Sequence, residues 1–117
     1  MNKSFILILF FILTISLYAF NNEETAATID TDPDIGKDIY FSQGCAACHK
    51  INGIGGNYGP DLTNINEKPY STIKESILEP KKSIVKGYKN VMPSYKDTLG
   101  EADIANIIRF FKEIKEK

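Results

Sequence analysis

Cysteine and histidine are confined to one short run of this sequence. The chain of 117 residues holds two cysteines and one histidine, and they stand together in Cys45-Ala-Ala-Cys48-His49. Two thiols three positions apart can each add to one of the two vinyl groups of a single porphyrin, and the adjacent histidine can then ligate the iron. The run therefore indicates covalent attachment of one c-type haem with an iron centre.

Methionine supplies a second candidate ligand for that iron. Apart from Met1, the sequence has one methionine, Met92, in Asn90-Val91-Met92-Pro93. A haem held by histidine and methionine needs one of each. Methionine is also a common filler of gaps in apolar cores, and that use is the alternative for Met92.

Three other uses of the Cys-x-x-Cys pair are open. A thioredoxin-like redox pair normally lies in a βαβ unit, and the sequence shows no run of strands. A closed zinc site needs four ligands, whereas the chain offers three Cys and His side chains. A disulfide between Cys45 and Cys48 would close a very small loop and would leave His49 without a role. Haem attachment is therefore favoured.

Composition describes one small globular domain. Hydrophobic residues make up 43% of the chain and charged residues 25%, with a formal net charge of −1. This charge excludes a polybasic nucleic-acid-binding protein. A domain of this size has a thin core, and a bound porphyrin would enlarge it.

The N-terminal segment reads as an export signal rather than as part of that domain. Asn2-Lys3 is followed by an apolar run from Phe5 to Leu17, and Leu17-Tyr18-Ala19 ends in a small residue. We predict a signal peptide over 1–19, with an uncleaved membrane anchor as the alternative, and an acidic flexible linker over 20–32. The domain over 33–117 would then lie outside the cytoplasm, for example in a periplasm.

Helical signals begin at the start of the domain. Asp32 can cap a helix that has Pro33 at its first position, and Ile35, Ile39 and Tyr40 recur at helical spacing before Cys45. A short helix is predicted over Thr72–Leu78, with Ser71 as its cap and Pro80 ending it. The glycine- and proline-rich segments 51–69 and 86–100 are predicted loops.

The last helix has the clearest pattern. Glu101 and Asp103 would occupy its first turn, and Lys112, Lys115 and Lys117 its last, as the helix dipole favours. Its apolar stripe consists of Ile104, Ile107, Ile108, Phe111 and Ile114. Since no segment alternates as a strand would, the predicted fold is all-α.

The order of these motifs resembles that of the small class I monohaem cytochromes c. The resemblance covers Asp34 to Lys117 and rests on Gly36-x-x-x-Tyr40, Cys45-Ala-Ala-Cys48-His49, Gly59-Pro60-Asp61-Leu62, Gly87-Tyr88-x-x-Val91-Met92-Pro93 and a last helix with Phe110. The stretch from Val91 to the C-terminus, with Met92-Pro93-Ser94-Tyr95, looks especially like cytochrome c domains joined to subunit II of haem–copper oxidases.

The resemblance implies a fold and a role for each site residue. The first and last helices would cross, with Gly36 and Tyr40 meeting Phe110, and loops would wrap around the haem. Cys45 and Cys48 would form the thioether bonds, and His49 and Met92 would be the axial ligands. The Pro60 carbonyl would accept a hydrogen bond from His49. Where relatives use tryptophan against the haem or its propionates, this chain must use Tyr58, Tyr70, Tyr88 or Arg109, and core packing is the alternative for each.

With both axial positions filled by the protein, the implied function is one-electron transfer rather than enzymatic catalysis. The expected partners are respiratory redox proteins such as a terminal oxidase or a reductase, with no nucleic acid and with membrane contact only through an uncleaved N-terminus. One alternative is the haem subunit of a membrane or periplasmic oxidoreductase complex. A haem sensor, in which Met92 leaves the iron, is a weaker alternative.

Charge distribution suggests where a partner would dock. Acidic residues gather in the linker and first helix, whereas lysines surround the Met92 segment at Lys81, Lys82, Lys86, Lys89 and Lys96. We predict that these lysines face an acidic patch on the redox partner. The alternative is that they are ordinary solvated surface residues.

Overall fold

The structure, a computed structural model, describes residues 29–115 and residue 117. The signal peptide predicted over 1–19 lies outside the described residues, as does most of the linker predicted over 20–32. Every helix in the described part of the chain is too short or too polar to cross a membrane.

The first helix, α1, covers Pro33–Ser42 and begins as the sequence predicts. The Asp32 carboxylate accepts a hydrogen bond from the Asp34 backbone N–H at 2.8 Å, and Pro33 stands at the first helical position. The buried residues of α1 are Gly36 and Tyr40. Ile35 is 49% exposed, although it shares the helical spacing of Ile39 and Tyr40. The contact face of α1 is therefore formed by Gly36 and Tyr40.

The haem motif lies on a very short helix that follows α1. This helix, α2, covers Cys45–Cys48, and Gln43 and Gly44 separate it from α1. A small antiparallel hairpin follows, with β1 at Lys50–Ile51 and β2 at Ile54–Gly55. The predicted all-α fold class is confirmed, because this hairpin is the only sheet in residues 29–115.

The third helix, α3, covers Tyr70–Leu78, two residues more than the sequence predicts. Ser71 lies inside it and is not its cap. The backbone N–H of Ile73 donates to the Pro69 carbonyl at 3.1 Å, so the first helical bond already reaches back to the proline. Two 3₁₀ turns flank α3, at Ile65–Glu67 and at Pro80–Lys82.

The last helix, α4, covers Glu101–Lys112 and ends earlier than predicted. Lys115 and Lys117 lie beyond it, so they are not in its last turn. The Lys112 ammonium donates to the carbonyls of Asn66 and Lys68, each at 2.6 Å. Asn52 and Asn66 donate to the carbonyls of Lys115 and Ile114. These long-range bonds hold the chain end against the loops and leave Ile114 buried.

Helices α1 and α4 cross at Gly36, which confirms the predicted contact. A Cβ atom on Gly36 would lie 1.9 Å from the Asn106 carbonyl oxygen, so only glycine permits this approach. The Asn106 side-chain oxygen accepts from the Asp32 backbone N–H at 2.8 Å. The Tyr40 ring packs 5.7 Å from the Phe110 ring and 5.9 Å from the Phe111 ring, between centroids. The crossing therefore combines a close backbone contact with an aromatic cluster.

One hydrophobic core connects this crossing to α3. Its buried members are Tyr40, Ile73, Ile77, Ile104, Ile107, Ile108, Phe111 and Ile114. Met92, Tyr95, Leu62 and Cys45 are half-buried and pack against it. The same core thus supports residues from the haem motif and from the Met92 segment.

Candidate haem site

A cavity of about 580 Å³ opens beside the core and brings the predicted site residues together. Cys45, Cys48, His49, Pro60 and Met92 all line it. Its apolar wall includes Leu62, Ile65, Ile73, Ile77, Ile107 and Phe111. The volume lies within the range of roughly 300–1,000 Å³ that is typical of cofactor and ligand pockets.

The His49 ring is oriented by a hydrogen bond to Pro60. The distance from His49 Nδ1 to the Pro60 carbonyl oxygen is 2.7 Å. A carbonyl oxygen can only accept, so Nδ1 must carry the proton. Nε2 of the neutral ring then keeps its lone pair and is able to bind a metal.

The loop that presents Pro60 is fastened to the haem motif. The backbone N–H of Gly56 donates to the Ala46 carbonyl at 2.9 Å, and that of Gly59 donates to the Cys48 carbonyl at 2.8 Å. Only glycine fits at position 59, because a Cβ atom there would lie 2.4 Å from His49 Cε1. The close approach of this glycine to the imidazole fixes the Pro60 carbonyl beside Nδ1.

A buried tyrosine supports the backbone of His49. Tyr40 is 2% exposed, and its hydroxyl donates to the His49 carbonyl at 3.1 Å. Burial raises the pKa of the Tyr40 phenol to about 12. The phenol therefore stays protonated and remains a donor throughout the neutral range.

Comparison with known proteins agrees with this geometry. The family model described as cytochrome c matches residues 33–115. The chain belongs to the cytochrome c family. Members of that family bind haem c covalently through a Cys-x-x-Cys-His motif and carry electrons, so this chain is a haem-binding electron carrier.

A relative of this cytochrome is the cytochrome c oxidase subunit 2 of Alkalihalophilus pseudofirmus. The two are 27% identical over 101 residues, which covers 79% of this chain and 28% of the relative. The cytochrome thus spans well under a third of the length of the relative that it matches.

The donor atoms around the cavity suit the family's cofactor. Two thiols three residues apart can add to the two vinyl groups, the imidazole offers Nε2, and Met92 offers a thioether sulfur. The half-buried Cys45 and Cys48 are not joined by a disulfide. Residues 29–115 hold no cluster of three His, Cys, Asp or Glu side chains suited to a metal ion, as zinc would require.

The thioredoxin-like alternative does not fit the Cys45 environment. Burial is the largest influence on the Cys45 thiol and raises its pKa. Reactive redox cysteines instead have lowered pKa values, which keep the thiolate available. The pair also lies on α2, between helix α1 and the β1–β2 hairpin, rather than after a strand of a βαβ unit.

Four residues were candidates for the role that tryptophan has in relatives of this cytochrome. Tyr58 and Tyr88 lie on the cavity wall. Tyr70 begins α3, is 45% exposed and lies outside that wall. Arg109 pairs with Glu113 at 2.9 Å on the exposed side of α4. The structure therefore leaves Tyr58 and Tyr88 within reach of a bound porphyrin.

The lysines predicted to dock a partner differ in their surroundings. All five are exposed, and Lys89 lies at the cavity wall. Lys82 forms an ion pair with Glu79 at 2.5 Å, which offsets its charge. Among the described residues, Lys86 and Lys89 have no ion-pair partner, so their positive charge is available at the surface.

Tyr95 is a site residue for which no role is predicted from the sequence. It lines the cavity, and its hydroxyl donates to the Gln43 carbonyl at 3.1 Å. Burial raises the pKa of this phenol above its usual value. Its place in the Met92-Pro93-Ser94-Tyr95 run was visible in the sequence, but its bond to Gln43 joins residues too far apart in the chain to be inferred.

Proposed function

We propose that this cytochrome shuttles single electrons between respiratory partners outside the cytoplasm and has no catalytic activity of its own. The observation that carries the proposal is the convergence of Cys45, Cys48, His49 and Met92 on one cavity. A bound haem iron supplies the one-electron change between the ferrous and ferric states.

The residues have distinct roles in this proposal. Cys45 and Cys48 would hold the haem through thioether bonds, and His49 Nε2 and the Met92 sulfur would bind its iron. With both ligands supplied by the protein, no place would be left for oxygen or a substrate. The Pro60 carbonyl keeps the imidazole oriented and basic through Nδ1. The apolar wall would exclude water from a bound haem, which would favour the less charged ferrous state and raise the reduction potential.

The respiratory assignment and the location are supported indirectly. The relative named above is a subunit of cytochrome c oxidase, which suggests a terminal oxidase as a partner. The predicted export signal over 1–19 agrees with a location outside the cytoplasm. An uncleaved signal would instead anchor the domain to the membrane.

The same relative favours one second candidate. The match covers 28% of that relative, which is a subunit of cytochrome c oxidase. By analogy, this chain could serve as the haem subunit of a larger oxidoreductase complex. Mild detergent extraction and purification of the native protein distinguishes the two. Stable co-purification with an enzyme complex at constant stoichiometry would favour the subunit role.

The proposed function is tested by the reactivity of the isolated holoprotein. We expect a reversible one-electron redox titration, and no change in the spectrum of the reduced form under carbon monoxide, because Met92 occupies the sixth position. Rapid carbon monoxide binding would indicate an open or easily opened iron. That outcome would favour the sensor alternative and contradict the shuttle.

A further inference from the structure

The chain directly after Met92 is attached to the C-terminal end of α3. The Ser94 hydroxyl donates to the Leu78 carbonyl at 2.5 Å, and the Tyr95 backbone N–H donates to the Ile77 carbonyl at 3.3 Å. The last carbonyls of a helix have no partner within it. The Met92 segment therefore satisfies the free end of α3 and is held there.

A second bond from Tyr95 reaches the segment that carries the haem motif. Its hydroxyl donates to the carbonyl of Gln43, which caps α1 and stands two residues before Cys45. The half-buried Tyr95 ring packs against the core and lines the cavity. One side chain thus links the Met92 segment to the Cys45–His49 segment.

The chain before Met92 lacks a comparable attachment. Within the described residues, the backbone bonds of 84–91 are local, from Tyr88 to Val85 at 3.1 Å and from Val91 to Lys89 at 3.0 Å. Ile84, Val85 and Val91 are each half exposed or more. The placement of Met92 therefore depends on the attachment on its C-terminal side.

We propose that Tyr95 is a positioning residue for Met92. Its ring and hydroxyl hold the Met92 segment at a fixed distance from the segment that carries Cys45, Cys48 and His49. The inference rests on the proposed function, because it requires Met92 to bind the iron. The two axial ligands of a haem approach from opposite faces, so the distance between the segments determines whether both can bind. Loss of the Tyr95 bond weakens Met92 in competition with an external ligand.

The test is titration of the ferric full-chain holoprotein with imidazole, which competes with Met92 for the iron. Tyr95→Phe keeps the ring and removes only the hydroxyl. We expect its apparent imidazole affinity to rise roughly 2- to 12-fold, the factor that corresponds to one ordinary hydrogen bond. Tyr70→Phe is the matched control, because it removes an exposed phenol outside the cavity, and it should bind imidazole as the wild type does.

The outcomes separate this inference from the proposed function. Wild-type imidazole affinity in Tyr95→Phe, even with a lower unfolding free energy, would show a merely structural role and overturn the inference. A wild-type ferric spectrum without a sulfur-to-iron charge-transfer band would overturn Met92 ligation itself, and the inference with it. A band in the wild type with tighter imidazole binding in Tyr95→Phe supports both.

A second measurement applies if Tyr95→Phe does not accumulate as a folded holoprotein. Proton NMR of the reduced, diamagnetic wild type can follow the Tyr95 hydroxyl proton directly. Slow exchange with solvent and cross-peaks to Gly44 protons would support the bond to the Gln43 carbonyl. Exchange at the rate of a free phenol would overturn it.

Discussion

At the residue scale, the His49–Pro60 hydrogen bond determines which imidazole nitrogen is free. The Pro60 carbonyl forces the proton onto Nδ1 and leaves the Nε2 lone pair for a metal. Tyr40 acts one step further away, because its hydroxyl holds the His49 carbonyl while Pro60 holds the ring. The backbone and the side chain of His49 are thus held by separate partners.

Tyr40 also predicts a pH dependence of stability. Its pKa is about 12 in the folded protein against the ordinary 10.0, so above pH 10 the unfolded chain loses the proton first. The stabilisation is complete below about pH 10 and is lost as the pH rises towards 12. Tyr40→Phe should lower the unfolding free energy at pH 7 by about 1–3 kcal/mol, because the His49 carbonyl loses its donor.

Chemical denaturation between pH 7 and pH 12 checks this prediction. Tyr40→Phe should also flatten the decline of the unfolding free energy above pH 10, since the titrating group is gone. The exposed Tyr70→Phe serves as the control and should keep the wild-type decline. A Tyr40→Phe profile parallel to that of the wild type would refute the assignment of the shift to Tyr40.

Some residues of the site were predictable and others were not. Cys45, Cys48, His49 and Met92 stand out because the chain has almost no other residue of these types. The contacts of Tyr95 and Asn106 are different, since their partners Gln43 and Asp32 lie far away in the sequence. A tyrosine or an asparagine carries no spacing signal for such a partner.

At the element scale, the α1–α4 crossing at Gly36 organises the fold. We predict that Gly36→Ala lowers the unfolding free energy by about 1–3 kcal/mol or more, because its Cβ would meet the Asn106 carbonyl at 1.9 Å. Lys37→Ala is the matched control at the next, exposed position and should change stability by less than about 0.5 kcal/mol. Denaturant titration of both variants measures these changes. Equal unfolding free energies of Gly36→Ala and Lys37→Ala would contradict a tight crossing.

Helix ends show where sequence patterns lose their predictive power. The start of α1 follows from Asp32 and Pro33, which act locally through the cap. The end of α4 instead depends on Lys112, whose ammonium binds carbonyls of the distant loop residues Asn66 and Lys68. The helix dipole favours a basic residue such as Lys112 in the last turn, but it does not indicate where the helix stops, because the partners of Lys112 are distant in the sequence.

At the scale of the whole molecule, the near-neutral net charge hides an uneven distribution. Lys86 and Lys89 are exposed beside the Met92 segment, and the acidic residues Asp34 and Asp38 lie on α1. Lys82 contributes less to this field than the sequence suggests, because Glu79 pairs with it. If electrons leave the haem near the Met92 segment, a positive surface there would steer an acidic partner.

Replacing Lys86 and Lys89 together by Glu tests this docking surface. The second-order rate of electron transfer to a purified terminal oxidase should fall about 10-fold at low salt, and its salt dependence should flatten. A Lys37→Glu and Lys115→Glu double variant changes the net charge equally and should have a smaller effect. A wild-type rate that does not depend on ionic strength would show that these lysines are ordinary surface residues without a docking role.

The central claim is that His49 and Met92 together fill both axial positions of the haem iron, so that the iron can only transfer electrons. The near-infrared spectrum of the ferric full-chain holoprotein tests this claim most directly. The wild type and Val91→Ala, a change at the exposed neighbouring residue, should both show the weak sulfur-to-iron charge-transfer band. Met92→Ala should lack the band and have a lower reduction potential, because the thioether favours ferrous iron. A wild type without the band, or a Met92→Ala variant that retains it, would contradict the account.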